Sequence, residues 1–540
     1  MSEATSVVTT GAMLTEPRDA AHVALVAAGV PAALAQKDPT LWGAEATLEA
    51  SARLGWLDLP TSSLDLLPRL QQLSAELRAD GLDRVVLCGM GGSSLAPEVI
   101  CNSAGVELTV LDTTDPGQVR SALDDRLDRT VVVVSSKSGG TIETDSQLRI
   151  FTAAFVAAGL SEAQAARRFV VVTDPDSPLA RSAATSGVRE IFLADPEVGG
   201  RYSALSAFGL VPSALAGVDV AQLLADATAV QPQLGDDDSN PGLDLGAALG
   251  GGWSAGRDKL VIVDAGSGLV GFGNWAEQLV AESTGKNARG LLPVVVESAD
   301  APGVSEVASD VHVVSLSGTH DTGTTVTGAL GAQFLVWEYA TAIAGRVLGI
   351  DPFNQPNVAE SKANTTAILD ESGAGPLPEG TPAFAAGAVS VYAAESLLDG
   401  TTTVGATLTA LLAAVPIGGY LAVMAYLDRF ADADAAQLRA LLAARSPQQV
   451  TFGWGPRFLH STGQFHKGGP QVGAFLQITG DNATDIDVPG RPFTLGRLQL
   501  AQALGDLRAL GSRGRPVVRL HLHNRAAGIA QLLAAAQESA

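Results

Sequence analysis

Cysteine is almost absent from this chain. Cys88 and Cys101 are the two, too few for a disulfide framework and lacking Cys-x-x-Cys or Cys/His metal spacing. A reducing, cytoplasmic setting is expected. Basic residues are also scarce, 34 against 57 acidic ones for a net charge of −23, and such a chain repels nucleic acid and anionic lipid. Neither is expected as a partner. Charged residues make up only 17% of the chain and hydrophobic ones 46%, so most of it can be buried and little can stay disordered. Long apolar runs are missing too. The uncharged stretch from Gly400 to Leu427 carries Pro416, Gly418 and Gly419 past its middle, which reads as a buried helix, a turn and a buried strand rather than a membrane span. Residues up to about Thr15 lack a basic stretch followed by an apolar core, so no secretory leader is expected.

The 540 residues exceed what one core holds, and about 150 residues per domain suggests three or four units. Residues 1–80 read as a helical segment, with apolar periodicity in His22–Ala35 and Leu64–Leu77 broken by Pro31 and Pro60. Short apolar runs then alternate with helical stretches: Val85–Cys88, Leu108–Leu111, Val131–Val134 and Phe169–Val172. That alternation predicts a parallel α/β sheet. After the acidic run Asp236–Asp238, read as a solvated linker, the pattern restarts at Leu260–Val263, Pro293–Val296 and Val311–Leu316. A helix is expected from about Thr325 to Leu348. Beyond the Gly/Pro-rich passage Gly373–Pro382, runs at Tyr420–Leu427, Val450–Trp454 and Val517–Leu522 predict a smaller C-terminal α/β region. The divisions expected are thus 1–80, 81–225, 226–372 and 383–540.

The most informative stretch is Val131–Thr144, four valines followed by Ser-Ser-Lys-Ser-Gly-Gly-Thr-Ile-Glu-Thr. A buried strand ending in glycines and hydroxyls at the start of a helix forms an anion cradle. Gly139 and Gly140 let backbone amides approach a ligand, and Ser136, Ser138 and Thr141 add hydroxyl donors. A phosphate dianion suits it, although an ordinary solvated turn would read the same way. The first glycine loop, Gly89-Met-Gly-Gly-Ser-Ser94, offers a dinucleotide fingerprint in which Ser94 replaces the third glycine. It fits Ser93 against a small anionic or hydroxylated ligand better than it fits a nicotinamide cofactor.

Gln278 and Glu282 lie four apart and share one helical face. Glu282 falls near that helix's C-terminus, where the dipole favours a protonatable carboxyl suited to a general base. Arg201 follows Gly199 and Gly200 and precedes an apolar helix, a setting for a guanidinium clamp or for a plain salt bridge. Gln355 sits in a proline-flanked loop, with Lys362 shortly after it. The histidine candidates are His460, then His466 and His320.

Taken together and in this order, GMGGSS, SSKSGGTIET, GGRYSALSAFGL, QLVAESTGK and PFNQPNVAESK resemble the glucose-6-phosphate isomerase family. The resemblance is closest to the isomerase half of fused transaldolase–isomerase proteins. It implies two sugar-isomerase domains of flavodoxin-like topology, each a three-layer parallel-sheet unit, beside the N-terminal helical segment and the C-terminal α/β region. It also implies a homodimer, a sugar-phosphate substrate, and neither a cofactor nor a metal. By position it assigns phosphate binding to Ser136, Lys137 (main chain), Ser138 and Thr141, with Ser93 nearby. Arg201 with the Gly200 main chain would stabilise an enediolate, Gln278 and Glu143 would support the site, and Gln355 would be the family's substrate-binding glutamine. Glu282 would be the base, and Lys362 would act with a histidine, His460, in ring opening. One departure stands out. The family's histidine usually lies between the glutamate and the lysine in chain order, whereas His460 follows Lys362.

The activity implied is interconversion of glucose 6-phosphate and fructose 6-phosphate through a cis-enediol. The alternatives are a dual phosphoglucose/phosphomannose isomerase and a non-catalytic sugar-phosphate sensor. Glu282, Arg201 and Lys362 speak against the sensor, which needs the phosphate cradle and no base.

Overall fold

The computed structural model describes residues 5–304, 308–318 and 321–538. It is built on three sheets. The N-terminal segment opens with a strand, β1 (Ser6–Thr10), before its helices. A chain read locally as helix hides this element, because its partner lies more than 300 residues away.

The first sheet comprises β2 (Arg84–Gly89), β3 (Thr109–Leu111), β4 (Thr130–Ser135), β5 (Phe169–Thr173) and β6 (Glu190–Leu193), in the order β3-β2-β4-β5-β6. All its pairings are parallel. β2 and β4 are buried along their whole length, which is why both read as unbroken apolar runs instead of alternating patterns. Each strand leads through a turn at its C-terminal end into a covering helix, Leu95–Ser103 after β2 and Ile142–Ala157 after β4.

The second sheet contains β7 (Lys259–Val263), β8 (Leu292–Val295), β9 (Val311–Ser315) and β10 (Gly323–Thr327), in the order β1-β10-β9-β7-β8. β1 closes its edge antiparallel, Ser6 opposite Thr327 and Thr10 opposite Gly323. The helix expected from Thr325 begins only at Leu330. The threonines before it are β-branched and pair with both β9 and β1, and Gly328 at φ +140° makes the turn between strand and helix.

The third sheet runs β11-β12-β16-β15-β13-β14, with β11 (Phe384–Ala386), β12 (Val389–Ala393), β13 (Tyr420–Tyr426), β14 (Gln449–Trp454), β15 (Gly473–Gly480) and β16 (Val517–Leu522). β16, β15, β13 and β14 run parallel, and β12 and β11 add antiparallel at the β16 side. β15, not anticipated from sequence, lies between β13 and β16. Gln477 in its middle and glycines at both ends break the apolar run that would have marked it. The Gly400–Leu427 stretch folds as expected into a helix, Val404–Ala413, a turn and β13, and no helix among the described residues is long and apolar enough to cross a membrane.

Apolar cores join these units. One spans the N-terminal helices and the facing sides of the first two sheets, with Trp56, Phe208, Trp275 and Trp337. Another packs the second sheet (Val261, Val263, Val294) against the third (Tyr420, Met424, Phe475). The third sheet is thus fixed against the second.

Candidate active site

The turn expected to hold phosphate lies at the C-terminal end of β4. Ser136 Oγ and Thr141 Oγ1 lie 2.9 Å apart, and Ser138 Oγ accepts from the Gly140 amide at 3.3 Å. Thr141 is the N-cap residue of the helix Ile142–Ala157, yet its side chain makes no capping bond. The first-turn amides and the helix dipole therefore stay available to an anion. Gly139 turns the chain at φ +66°, where a Cβ would meet the Leu179 amide at 2.8 Å. The Lys137 side chain turns away to Asp174, 2.6 Å, which leaves only its main chain at the cradle.

Glu143 sits in the first turn of this helix and is 3% exposed. Its Oε1 accepts from Gln502 Nε2 at 2.6 Å and lies 3.2 Å from His460 Nε2. Burial works against the charge of this carboxyl, but the His460 imidazole, with a smaller contribution from Lys362, outweighs it and holds the group below the usual carboxylate range. A carboxylate on Nε2 orients the ring, as a proton carrier requires. Thr141, Glu143, Lys362, His460 and Gln502 line a cavity of about 130 Å³. Lys362 projects there from the helix Val358–Ser372 as an exposed side chain.

The other half of the site is organised by the helix Phe272–Thr284, which buries Gln278 and Glu282 on one face. Gln278 Nε2 donates to Glu282 Oε2 at 3.1 Å and to the His460 carbonyl at 2.7 Å. Arg201 Nη1 lies 3.3 Å from Glu282 Oε1. The same guanidinium donates to Ser283 Oγ, Gln355 Oε1 and the carbonyls of Pro352 and Asn354, at 2.8 to 3.0 Å. Held by four acceptors and 3% exposed, it is a rigid positive charge beside Glu282. The two glycine motifs touch directly: a Cβ on Gly92 would fall 2.0 Å from the Gly200 carbonyl, so only glycine permits this approach. The 8% exposed Ser93 lies in that same turn.

The histidine candidates separate. His460 ends a single helical turn, Arg457–His460, between β14 and β15, and the third sheet's packing carries it back over the cleft of its own chain. Arg457, which opens that turn, is gripped by Glu98 at 2.9 Å and Asp112 at 3.2 Å. His466 is buried in the core with Nδ1 2.9 Å from the Tyr420 hydroxyl and its ring stacked on Tyr420. Burial pushes its pKa down to about 3, so it stays neutral and outside the cleft. His320 lies outside the described residues.

Gln502 and Arg457 went unrecognised from sequence. The signal for Gln502 is faint: it is one of three polar residues, with Gln499 and Asp506, buried on the helix Leu495–Gly511, where such side chains usually need a partner. Its Oε1 accepts from Thr114 Oγ1 at 2.8 Å, which completes that accounting.

Residues 75–294 match the family model described as phosphoglucose isomerase. Among curated relatives, the glucose-6-phosphate isomerase of Rubrobacter xylanophilus is 28% identical over 389 residues, covering 59% of this chain and 90% of that protein. Those of Acaryochloris marina and Thermosynechococcus vestitus are 38% and 34% identical but match only 37% and 42% of this chain and 40% and 46% of their own lengths. Among solved structures, a glucose-6-phosphate isomerase from Chlamydia trachomatis shares the fold with a TM-score of 0.51 at 22% identity, over 57% of this chain and 74% of that one. The matched segment holds the Ser136–Thr141 turn, Arg201, Gln278 and Glu282, and stops before Gln355, Lys362 and His460. Residues 75–294 are thus similar to the phosphoglucose isomerase family.

Proposed function

We propose that this protein interconverts glucose 6-phosphate and fructose 6-phosphate by general acid/base catalysis through a cis-enediol. The observation that carries the reading is a chain of contacts: the buried Glu282 faces Arg201, Gln278 bonds both Glu282 and the His460 carbonyl, and the His460 ring sits on Glu143, which opens the helix behind the Ser136–Thr141 turn. Each part answers one demand of the reaction.

The hydroxyls of Ser136, Ser138 and Thr141, with the Lys137 main chain and the amides opening the next helix, hold the phosphate and fix the sugar in register. His460, oriented by Glu143 and assisted by Lys362, moves the proton between the ring oxygen and a neighbouring hydroxyl to open the ring. Glu282 takes the proton from one of the two carbons, C1 or C2, and returns it to the other. Arg201 and the Gly200 main chain oppose the negative charge that develops on the enediolate oxygens. Gln278 keeps Glu282 and the His460 backbone in register, and Gln355 braces Arg201.

A homodimer and a cytoplasmic location accompany this reading, and a size-exclusion experiment with light scattering tests the first. The activity is tested by a coupled assay with fructose 6-phosphate, in which glucose 6-phosphate formation is read through a dehydrogenase. No product above background overturns the proposal. Mannose 6-phosphate in the same assay measures any action on the other face of C2.

A further inference from the structure

At the far end of the third sheet the strand register assembles a second group of chemically active side chains. β15 and β16 pair in parallel with Thr479 beside His521 and Gly480 beside Leu522. The next residues in this register are Asp481 and His523. Side chains two apart on a strand share a face, so His521 and His523 project together toward Asp481. Ligating atoms of the three lie within 4.8 Å of one another. His521 Nε2 is 3.1 Å from one Asp481 oxygen, and His523 Nδ1 is 3.6 Å from the other.

These separations match two donors around one small cation. Ligands about 2.0–2.2 Å from a tetrahedral ion sit about 3.4 Å apart. The remaining nitrogen of each ring is also engaged: His521 Nδ1 lies 3.0 Å from Thr479 Oγ1, and His523 Nε2 lies 2.8 Å from Ser390 Oγ. With those nitrogens donating to the hydroxyls, the lone pairs of His521 Nε2 and His523 Nδ1 point at the shared position. A hydrogen-bond acceptor on the ring's other nitrogen, fixing tautomer and orientation, is what metal-binding histidines ordinarily have.

Asp481 is anchored on its backbone side, where its carbonyl accepts from Arg525 Nε at 3.0 Å. The site lies outside the C-terminal ends of parallel strands, where α/β sheets collect their ligands. Asp481 and His521 also line a cleft of about 390 Å³ that includes Tyr426, Gln499 and Arg497. Tyr426 is 1% exposed, and its hydroxyl has no hydrogen-bond partner among the described residues.

We propose that Asp481, His521 and His523 form a binding site for one divalent transition-metal ion of the zinc class, separate from the isomerase cleft. Two imidazoles and one carboxylate suit such an ion better than calcium or magnesium, which take oxygen ligands. Three protein ligands leave a coordination position open, and it faces the cleft containing the Tyr426 hydroxyl.

The test uses the untagged full-length protein, stripped with a chelator and dialysed, then titrated calorimetrically with zinc chloride. One equivalent per chain is expected to bind. In Asp481→Asn/His523→Ala, which alters two exposed side chains, affinity is expected to fall by more than the ~10–100-fold typical of losing an outer-shell partner. Isomerase activity is expected to stay unchanged. His523→Ala alone, changing one half-exposed ring, decides the matter if the double variant does not fold: weakened zinc binding supports the site and unaltered binding overturns it. Absence of stoichiometric zinc binding to the parent protein, or full retention of it in the double variant, overturns the proposal whatever the isomerase assay shows.

Discussion

His460 Nε2 lies 3.2 Å from Oε1 of Glu143, although 317 residues separate the two in the chain. The contact brings a histidine from the third sheet's unit to the helix that follows β4, although that histidine comes after Lys362 in sequence. For His460→Ala, reaction of the cyclic sugar is expected to slow by ~10²–10⁴-fold, the usual contribution of a positioned acid/base group. An open-chain analogue should be affected far less. Equal slowing of both substrates in parallel assays would remove His460 from ring opening.

Glu282 faces the fixed charge of Arg201 at 3.3 Å and is held by Gln278. Glu282→Gln keeps the shape and cannot take a proton, so sugar-phosphate binding should survive while turnover falls by at least ~10²-fold. Exchange of the C2 hydrogen of substrate with deuterated solvent, followed by NMR, should cease in parallel. Persistent exchange would identify another base.

Thr141 spends no hydrogen bond on capping its own helix. Thr141→Ala should weaken substrate binding by about 1.5–3 kcal/mol, the worth of a hydrogen bond to a charged group. Calorimetry with fructose 6-phosphate checks this, and an unchanged Kd would take the hydroxyl out of the site.

Arg457 holds Glu98 and Asp112 at the start of the turn that ends in His460. Arg457→Met leaves two carboxylates poorly paired in a nearly buried position, a change expected to cost about 3–5 kcal/mol. Because Arg457 acts by positioning His460, kcat should fall more than KM rises in whatever fraction folds. Urea unfolding and steady-state kinetics read the two effects separately.

Glu338 supplies a pH signature. It is fully buried, neither carboxyl oxygen has a hydrogen-bond partner among the described residues, and burial raises its pKa well above the ordinary value. It is therefore neutral in the fold, while in the unfolded chain it loses its proton above about pH 4.5. Its stabilising contribution is complete below that pH and is lost as pH rises toward the folded-state value. Glu338→Met should remove this part of the slope and raise Tm at pH 8 relative to the parent. A variant with the parent's pH slope in thermal melts would mean that Glu338 is already charged in the fold.

Local sequence determined the parts of this protein whose physics is local. The valine run of β4, buried on both faces, announced a central parallel strand. The glycines and hydroxyls after it announced an anion cradle, and the spacing of Gln278 and Glu282 placed both on one helix face. Those signals need only the residue's own neighbours. Tertiary structure alone decided the rest. β1 became a strand because its partner β10 lies across the molecule, and β15 became a central strand despite Gln477 because its neighbours on either side complete its hydrogen bonds. Gln502, Arg457 and the choice of His460 over His466 rest on packing between distant units. His466 is closed into the core against Tyr420, while its neighbour six residues earlier reaches Glu143. Long-range burial and pairing energies choose among residues that are chemically alike, and no window of local sequence contains those energies.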